Sequence, residues 1–239
     1  MNRNYSNISY AESPFGTLSE FMSKTFGWMF AGLLVTFAVG IGAVASGLIY
    51  LLINSGLFIL TSIAELVLVF VLTARVQSLQ PSTATGIFFG YAVLNGLNLS
   101  SIFLVYDYRS LILAFLVGAV YFGVMAVYGN VTNRDLTGWG PKLMGGLVAI
   151  IVCALVGGLL SLFGLHFGIM DLLLCAVGLL IFMGLTAYDT QMLKYHYAYF
   201  GGDAAMLHKA SIIGALNLYL DFINIFLYIL RMLGRRNND

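Results

Sequence analysis

The sequence predicts an all-α integral membrane protein with seven transmembrane helices. Of its 239 residues, 60% are hydrophobic and 9% are charged, whereas soluble domains carry about 25% charged residues. Seven apolar segments run about twice the length of a roughly 10-residue membrane strand and lack strict alternation, which excludes a barrel. The net charge of +1 gives no basis for binding nucleic acid, so the expected surroundings are the lipid bilayer.

Composition divides the chain into three parts. Residues 1–24 form a polar N-terminal segment without an apolar core, so we do not expect a cleavable signal peptide. Residues 25–232 form the seven-helix membrane domain, and residues 233–239 form a basic and polar C-terminal tail. The spans leave no room for a soluble catalytic domain.

Turn and charge signals separate the first four spans. The seven predicted spans cover residues 26–53, 57–74, 87–106, 110–129, 143–165, 172–193 and 211–230. Residues 54–56 turn the chain after the uncharged first span. The second span carries Glu65 and ends at Arg75, and Pro81 is expected to break the helix before the third span. The fourth span is uncharged.

The last three spans follow the longest hydrophilic connection of the first half, residues 130–142. The fifth span contains two pairs of adjacent glycines, which permit close helix approach within lipid. The sixth span contains Asp189 and the seventh contains Asp221. A polar and aromatic connection is predicted between them, over residues 194–210.

The distribution of Lys and Arg favours a cytoplasmic N-terminus. With that orientation, seven basic residues lie on the inner side and four on the outer side. The basic tail then lies outside, a conflict that a re-entrant seventh segment would remove. We expect seven full spans, because residues 211–230 are long enough to cross at roughly 1.5 Å per residue. The absence of an organelle-targeting sequence favours a bacterial inner membrane.

Asp189 and Asp221 are the residues that most need an explanation. An ionisable side chain within a span costs at least about 2.5 to 3.5 kcal/mol and normally faces the protein interior or a wet cavity. Two carboxylates that face each other repel when both are charged, so the two are expected to titrate as a unit. Helix rise places Asp189 roughly 6 Å from the inner boundary and Asp221 roughly 15 Å from it, so their predicted depths differ.

Polar residues near the two aspartates are candidate pore-lining groups. The seventh span carries a stripe of polar and small residues at helical spacing, formed by Gly214, Asn217, Asp221, Asn224 and Tyr228. Further candidates lie one turn before Asp189 and in the second and third spans: Thr186, Glu65, Asn95 and Asn98. Because Ca²⁺ takes six to eight oxygen ligands, Asp189 and Asp221 are the candidate metal ligands.

Three stretches of the chain match motifs of a known family. They are GLTAYDTQ in the sixth span, SIIGALNLYLDFINIFLYILR in the seventh, and NLSSIF with the following Tyr106 in the third. They resemble the transmembrane Bax inhibitor motif family, in its bacterial form, and the likeness extends from Thr25 to Arg231. It implies a seven-helix fold in which the last helix is central and is surrounded by the other six.

The resemblance also implies a function. It implies a channel-like calcium leak regulated by pH, in which Asp189 and Asp221 would form a hydrogen-bonded pH sensor near the cytoplasmic side. It further implies that an arginine of the second helix would latch to this pair in the closed state, and Arg75 is the candidate. Glu65 resembles an acidic position of the second helix. Ca²⁺ and protons are the implied partners, without a tightly bound cofactor.

Other interpretations remain open for the same residues. The aspartates could form a structural pair that fixes helix register, Arg75 could extend to the interface, and the asparagines could join helices by hydrogen bonds. The chain could be a non-conducting regulator of membrane-protein turnover or stress survival, acting through membrane-protein partners. An intramembrane aspartyl protease is a weaker alternative, because residues 218–220 lack the Gly-x-Gly that precedes its aspartate. We therefore expect no enzymatic activity.

Overall fold

A computed structural model describes residues 16–76, 78–163 and 168–234. Helices and their connecting turns make up these ranges, which contain no β-strand. The helices are α1 (Leu18–Ala45), α2 (Leu48–Asn54), α3 (Leu57–Arg75), α4 (Pro81–Leu99), α5 (Ile102–Val105), α6 (Tyr108–Val131), α7 (Gly140–Leu162), α8 (Gly168–Phe200) and α9 (Ala204–Leu233).

Seven helical segments in the described ranges are long and apolar enough to cross a membrane. They are α1, α3, α4 together with α5, α6, α7, α8 and α9. The predicted all-α fold with seven candidate membrane spans is therefore confirmed. The central position of the last helix stays a prediction, although 67% of the apolar window of α9 is buried, against 6% in α3 and in α7.

The predicted first span, residues 26–53, is wrong in its bounds. α1 begins earlier because Thr17 and Glu20 form a capping box, in which the Glu20 N–H donates to the Thr17 hydroxyl and the Thr17 N–H donates to the Glu20 carboxylate. The helix ends at Ala45, and Gly47 precedes α2 with a φ of 74°, a conformation that suits glycine. Hydropathy alone does not show this break, because both sides of it are apolar.

The predicted connection over residues 194–210 is also wrong. α8 continues to Phe200 and α9 begins at Ala204. Asp203 stabilises the start of α9, because its carboxylate accepts the backbone N–H groups of Ala205 at 2.9 Å and Met206 at 3.0 Å. Polar residues extend both helices past their apolar windows, so Asp189 and Asp221 lie further from the helix ends than the sequence indicated.

The third span differs from its predicted bounds as well. Pro81, expected as a breaker, is the first residue of α4, where its missing N–H costs nothing. The span is interrupted after Leu99 before it continues as α5. Asp107 then caps α6, since its carboxylate accepts the Ser110 N–H at 2.6 Å. This hydrogen bond holds the pKa of the Asp107 carboxyl below its usual value.

The chain divides into two compact units. The first unit comprises the described residues up to 102 and residues 192–219, and the second comprises the described residues between 103 and 191 and those from 220 onwards. In the first unit α1 packs against α4, where a methyl group added at Gly96 would lie 2.6 Å from the Thr36 carbonyl oxygen. Small residues thus bring these two helices to backbone contact.

Glycines also determine how α8 packs within the second unit. A methyl group added at Gly129 of α6 would lie 2.2 Å from the Ala187 carbonyl oxygen. One added at Gly140, at the start of α7, would lie 2.6 Å from the Tyr188 ring. The part of α8 that carries Asp189 therefore packs directly against the backbones of α6 and α7.

We expect Gly129→Ala to lower the free energy of unfolding by about 1 to 3 kcal/mol, because the new methyl group meets backbone that cannot rotate away. Gly123→Ala, on the same helix, is the matched control, since its methyl group meets nothing within 4 Å. Thermal unfolding of both purified variants in detergent tests this. Equal stability of the two would show that the α6 and α8 backbones are not in contact.

Candidate functional site

The second unit brings together the two aspartates of the sixth and seventh spans. α8 supplies Asp189, which is half-buried, and α9 supplies Asp221, which is 3% exposed. The Asp221 carboxyl interacts with the Asp189 carboxyl and with the hydroxyl of Thr186, which is fully buried. We refer to Asp189, Asp221 and Thr186 as the aspartate site.

The segment that carries Asp189 is fixed on both sides. Before the aspartate, Ala187 and Tyr188 pack against the glycines of α6 and α7. After it, the Gln191 side chain accepts the Leu136 N–H at 2.8 Å and donates to the Arg134 carbonyl at 2.8 Å. These bonds attach the connection between α6 and α7 to α8, so the aspartate stands on a rigid part of the helix.

Aromatic packing holds the other half of the site. The Phe222 ring, next to Asp221, makes edge contacts with Phe115 and Phe122 of α6, at centroid distances of 5.4 and 5.7 Å. A methyl group added at Gly118 would lie 3.6 Å from the Phe226 Cα, so α6 also lies close to α9. α6 therefore packs against α9 at Phe222 and again one turn later, at Phe226.

One oxygen of the aspartate site has no hydrogen bond. Within the part of the chain that the structure describes, Asp221 Oδ2 is buried and has no hydrogen-bond partner. A buried ionised carboxylate is costly unless its oxygens are paired. This oxygen is thus available to bind a proton or a cation.

The first unit contains a second polar group, which we call the Glu65 cluster. The Glu65 carboxylate accepts the Asn95 amide at one oxygen and the Asn98 amide, at 2.5 Å, at the other. The Thr61 hydroxyl donates to the Asn98 carbonyl oxygen at 2.7 Å. Glu65 and Thr61 of α3 thus bind Asn95 and Asn98 of α4 through three hydrogen bonds, of which the two to the carboxylate are charge-assisted.

Tyr219 of α9 extends this cluster to α1. Its hydroxyl donates to the Asn95 side-chain oxygen at 3.0 Å and lies 2.6 Å from the Thr36 hydroxyl. Its ring packs edge-on against Tyr91 and Phe88. Both Glu65 carboxylate oxygens and both asparagine side-chain oxygens accept a hydrogen bond. The Glu65 cluster differs in this from the aspartate site, where Asp221 Oδ2 accepts none from the described residues.

The remaining predicted residues are Asn224, Asn217 and Arg75. Asn224 donates to the Leu220 carbonyl of its own helix at 2.7 Å. Asn217 is half-buried in the first unit. Arg75 is exposed at the end of α3, also in the first unit. Its function as a latch stays a prediction.

Sequence reasoning missed several members of these sites. Thr36 lies in an uncharged span, and the stripe that contains Asp221 does not include Tyr219 at helical spacing. Gln191 ends the GLTAYDTQ stretch, but its loop contacts depend on the fold. A polar residue in the middle of an apolar span was the available signal for Thr36.

The donor set of the aspartate site is small for a resident metal. Among the described residues, no three or more His, Cys, Asp or Glu side chains are placed to hold a metal ion together. Two carboxyl groups and the Thr186 hydroxyl supply only part of the six to eight oxygens that Ca²⁺ takes. Such a site suits an ion that keeps part of its hydration shell.

Comparisons with known proteins place nearly the whole chain in one family. The sequence model of the family described as "Inhibitor of apoptosis-promoting Bax1" matches residues 18–238. "Inner membrane protein YbhL" of Escherichia coli (strain K12) is 41% identical over 226 residues, covering 93% of this chain and 94% of that protein. A Streptococcus pyogenes membrane protein, SpyM3_0260, is 33% identical over 240 residues, covering 96% and 98%.

We expect Tyr219→Phe to lower the free energy of unfolding by about 1 to 3 kcal/mol, because it removes a hydroxyl from two buried partners and fills the same space. Tyr199→Phe is the control, since Tyr199 is 82% exposed and its change should stay within about 0.5 kcal/mol. Thermal unfolding in detergent measures both. Indistinguishable variants would contradict the hydrogen bonds of the Glu65 cluster.

Proposed function

The chain belongs to the Bax inhibitor family, and we propose that this integral membrane protein is a pH-sensitive calcium leak gated by its aspartate site. The observation that carries the proposal is a carboxyl pair within two membrane spans, with one buried oxygen that has no hydrogen bond in the described chain. The name of the Escherichia coli relative supports a bacterial inner membrane as the location.

The proton response follows from the chemistry of paired carboxyl groups. When Asp189 and Asp221 are both ionised, they repel each other in surroundings that screen charge poorly. One bound proton removes that repulsion and allows a hydrogen bond between the two groups. The protonation state of the pair thus changes the force between α8 and α9, which is the proposed gating step.

The cation response uses the same oxygens. A doubly ionised pair attracts a divalent cation, and the Thr186 hydroxyl adds a neutral oxygen beside it. Conduction requires a site that binds strongly enough for entry and weakly enough for release. Two carboxylates with water as the remaining ligands meet that requirement better than a closed cage of protein oxygens.

The Glu65 cluster has a different function in this proposal. Because both carboxylate oxygens already accept amide hydrogen bonds, Glu65 is held in place and is less available to a passing cation. We assign Glu65, Asn95 and Asn98 mainly to joining α3 and α4, with pore lining as a secondary contribution. No proteolytic step is included, since the Gly-x-Gly-Asp pattern is missing before Asp221.

We expect Asp221→Asn and Asp189→Asn each to abolish the pH dependence of Ca²⁺ flux, because an amide neither ionises nor shares a proton with the remaining carboxyl. The measurement is Ca²⁺ entry into liposomes that contain the purified full chain, followed with an enclosed dye from acidic to alkaline pH. The parent should show one transition across this range, and the two variants should show none.

Asp203→Asn is the matched control for that experiment. It also removes one carboxylate, but the amide oxygen of the new side chain can still accept the N–H groups at the start of α9, so its flux should follow the parent at every pH. A pH response that survives in both site variants would refute gating by the aspartate site. Flux no higher than in empty liposomes would refute the leak and favour the non-conducting regulator.

A further inference from the structure

A cavity of about 590 Å³ lies in the second unit, apart from the residues of the aspartate site. Three helical segments form most of its walls, namely α7 from its middle onwards, the first turns of α8 and the last turns of α9, and Tyr106, just before α6, completes the lining. All three segments lie in candidate membrane spans. The volume falls within the roughly 300 to 1,000 Å³ typical of sites for small ligands.

Two opposite charges border this cavity. Arg231 of α9 and Asp171 of α8 both line it and are both exposed. The Cys175 thiol lies within the electrostatic reach of both charges. Tyr228 also lines the cavity and adds a hydroxyl. A cation and an anion thus face one space near the ends of α8 and α9.

The α7 wall of the cavity is shaped by small residues. Ala154, Gly157 and Gly158 line it, and a methyl group added at either glycine would meet nothing within 4 Å. Because only 6% of the apolar window of α7 is buried, this wall adjoins surface that faces hydrocarbon. A ligand with a polar head and an apolar chain can reach the cavity from the membrane.

We propose that this cavity binds a zwitterionic phospholipid that carries a primary ammonium group, with its phosphate at Arg231 and its ammonium at Asp171. Guanidinium groups bind phosphate oxygens in a bidentate manner, and the three hydrogens of an ammonium group suit a carboxylate. The acyl chains lie along the glycines of α7. Asp171 repels a purely anionic headgroup, and the apolar wall gives no advantage to free phosphate.

The test measures lipid binding to the purified full chain in detergent, through the rise in melting temperature with lipid concentration. The probes are short-chain phosphatidylethanolamine, phosphatidylcholine, phosphatidylglycerol and inorganic phosphate. We expect saturable stabilisation that is strongest for phosphatidylethanolamine. Arg231→Gln should weaken its apparent affinity at least about tenfold, and Asp171→Asn should remove the preference over phosphatidylglycerol.

Gly158→Leu provides a variant that leaves both charges in place. Its side chain enters the cavity from the α7 wall, so we expect it to reduce phosphatidylethanolamine binding about as much as Arg231→Gln. Gly145→Leu is the control, because Gly145 lies on the same helix, has equally open space within 4 Å, and does not line the cavity. These two glycine variants still test lipid binding in the cavity if Arg231→Gln fails to give a monodisperse, helical protein.

Three outcomes would overturn the proposal. If Gly158→Leu and Gly145→Leu bind phosphatidylethanolamine equally well, the lipid binds elsewhere on the protein surface and not in this cavity. Equal stabilisation by phosphatidylglycerol in the parent would exclude a contribution of Asp171 to selection. Stabilisation by inorganic phosphate as strong as by the lipid would assign the site to a free anion.

Discussion

An ionisable side chain in the middle of a membrane span must find its polar partners within the protein, because hydrocarbon supplies none. The structure meets this requirement in two ways. Glu65 receives an amide hydrogen bond at each oxygen, and Tyr219 and Thr36 continue the network. Asp221 instead faces a second carboxyl and keeps one oxygen without a hydrogen bond in the described chain. The first arrangement stabilises a fixed contact, whereas the second leaves the oxygen that a proton or a cation would bind in the proposed function.

Close helix packing makes the second arrangement possible. Gly129 and Gly140 let the backbones of α6 and α7 approach α8 beside Asp189, and Gln191 ties the intervening connection to the same helix. A carboxylate on a loosely packed helix could turn toward the membrane surface and avoid its partner. The glycines and Gln191 remove that freedom, so the repulsion between the two carboxyl groups must be relieved by a proton, a cation or helix movement.

The sequence predicted the features that depend on composition and helical period. Seven apolar segments gave seven spans, and the cost of charge in hydrocarbon directed attention to Asp189 and Asp221. Prediction from the sequence was wrong where local backbone geometry and helix caps decide the structure. The break at Gly47 lies between two apolar helices, and the caps of Thr17 and Asp203 extend helices into polar sequence. The hydrogen bonds of Thr36 and Tyr219 join helices that are distant in sequence, so sequence patterns did not predict them.

The two carboxylate sites differ in what their oxygens contact. Each oxygen of the Glu65 carboxylate accepts an amide N–H, from Asn95 or Asn98, and these hydrogen bonds fix the contact between α3 and α4. A proton shared by the aspartate site creates a hydrogen bond and removes a repulsion. In the proposed function, proton binding therefore changes the contact between α8 and α9, while the Glu65 cluster keeps α3 and α4 in place.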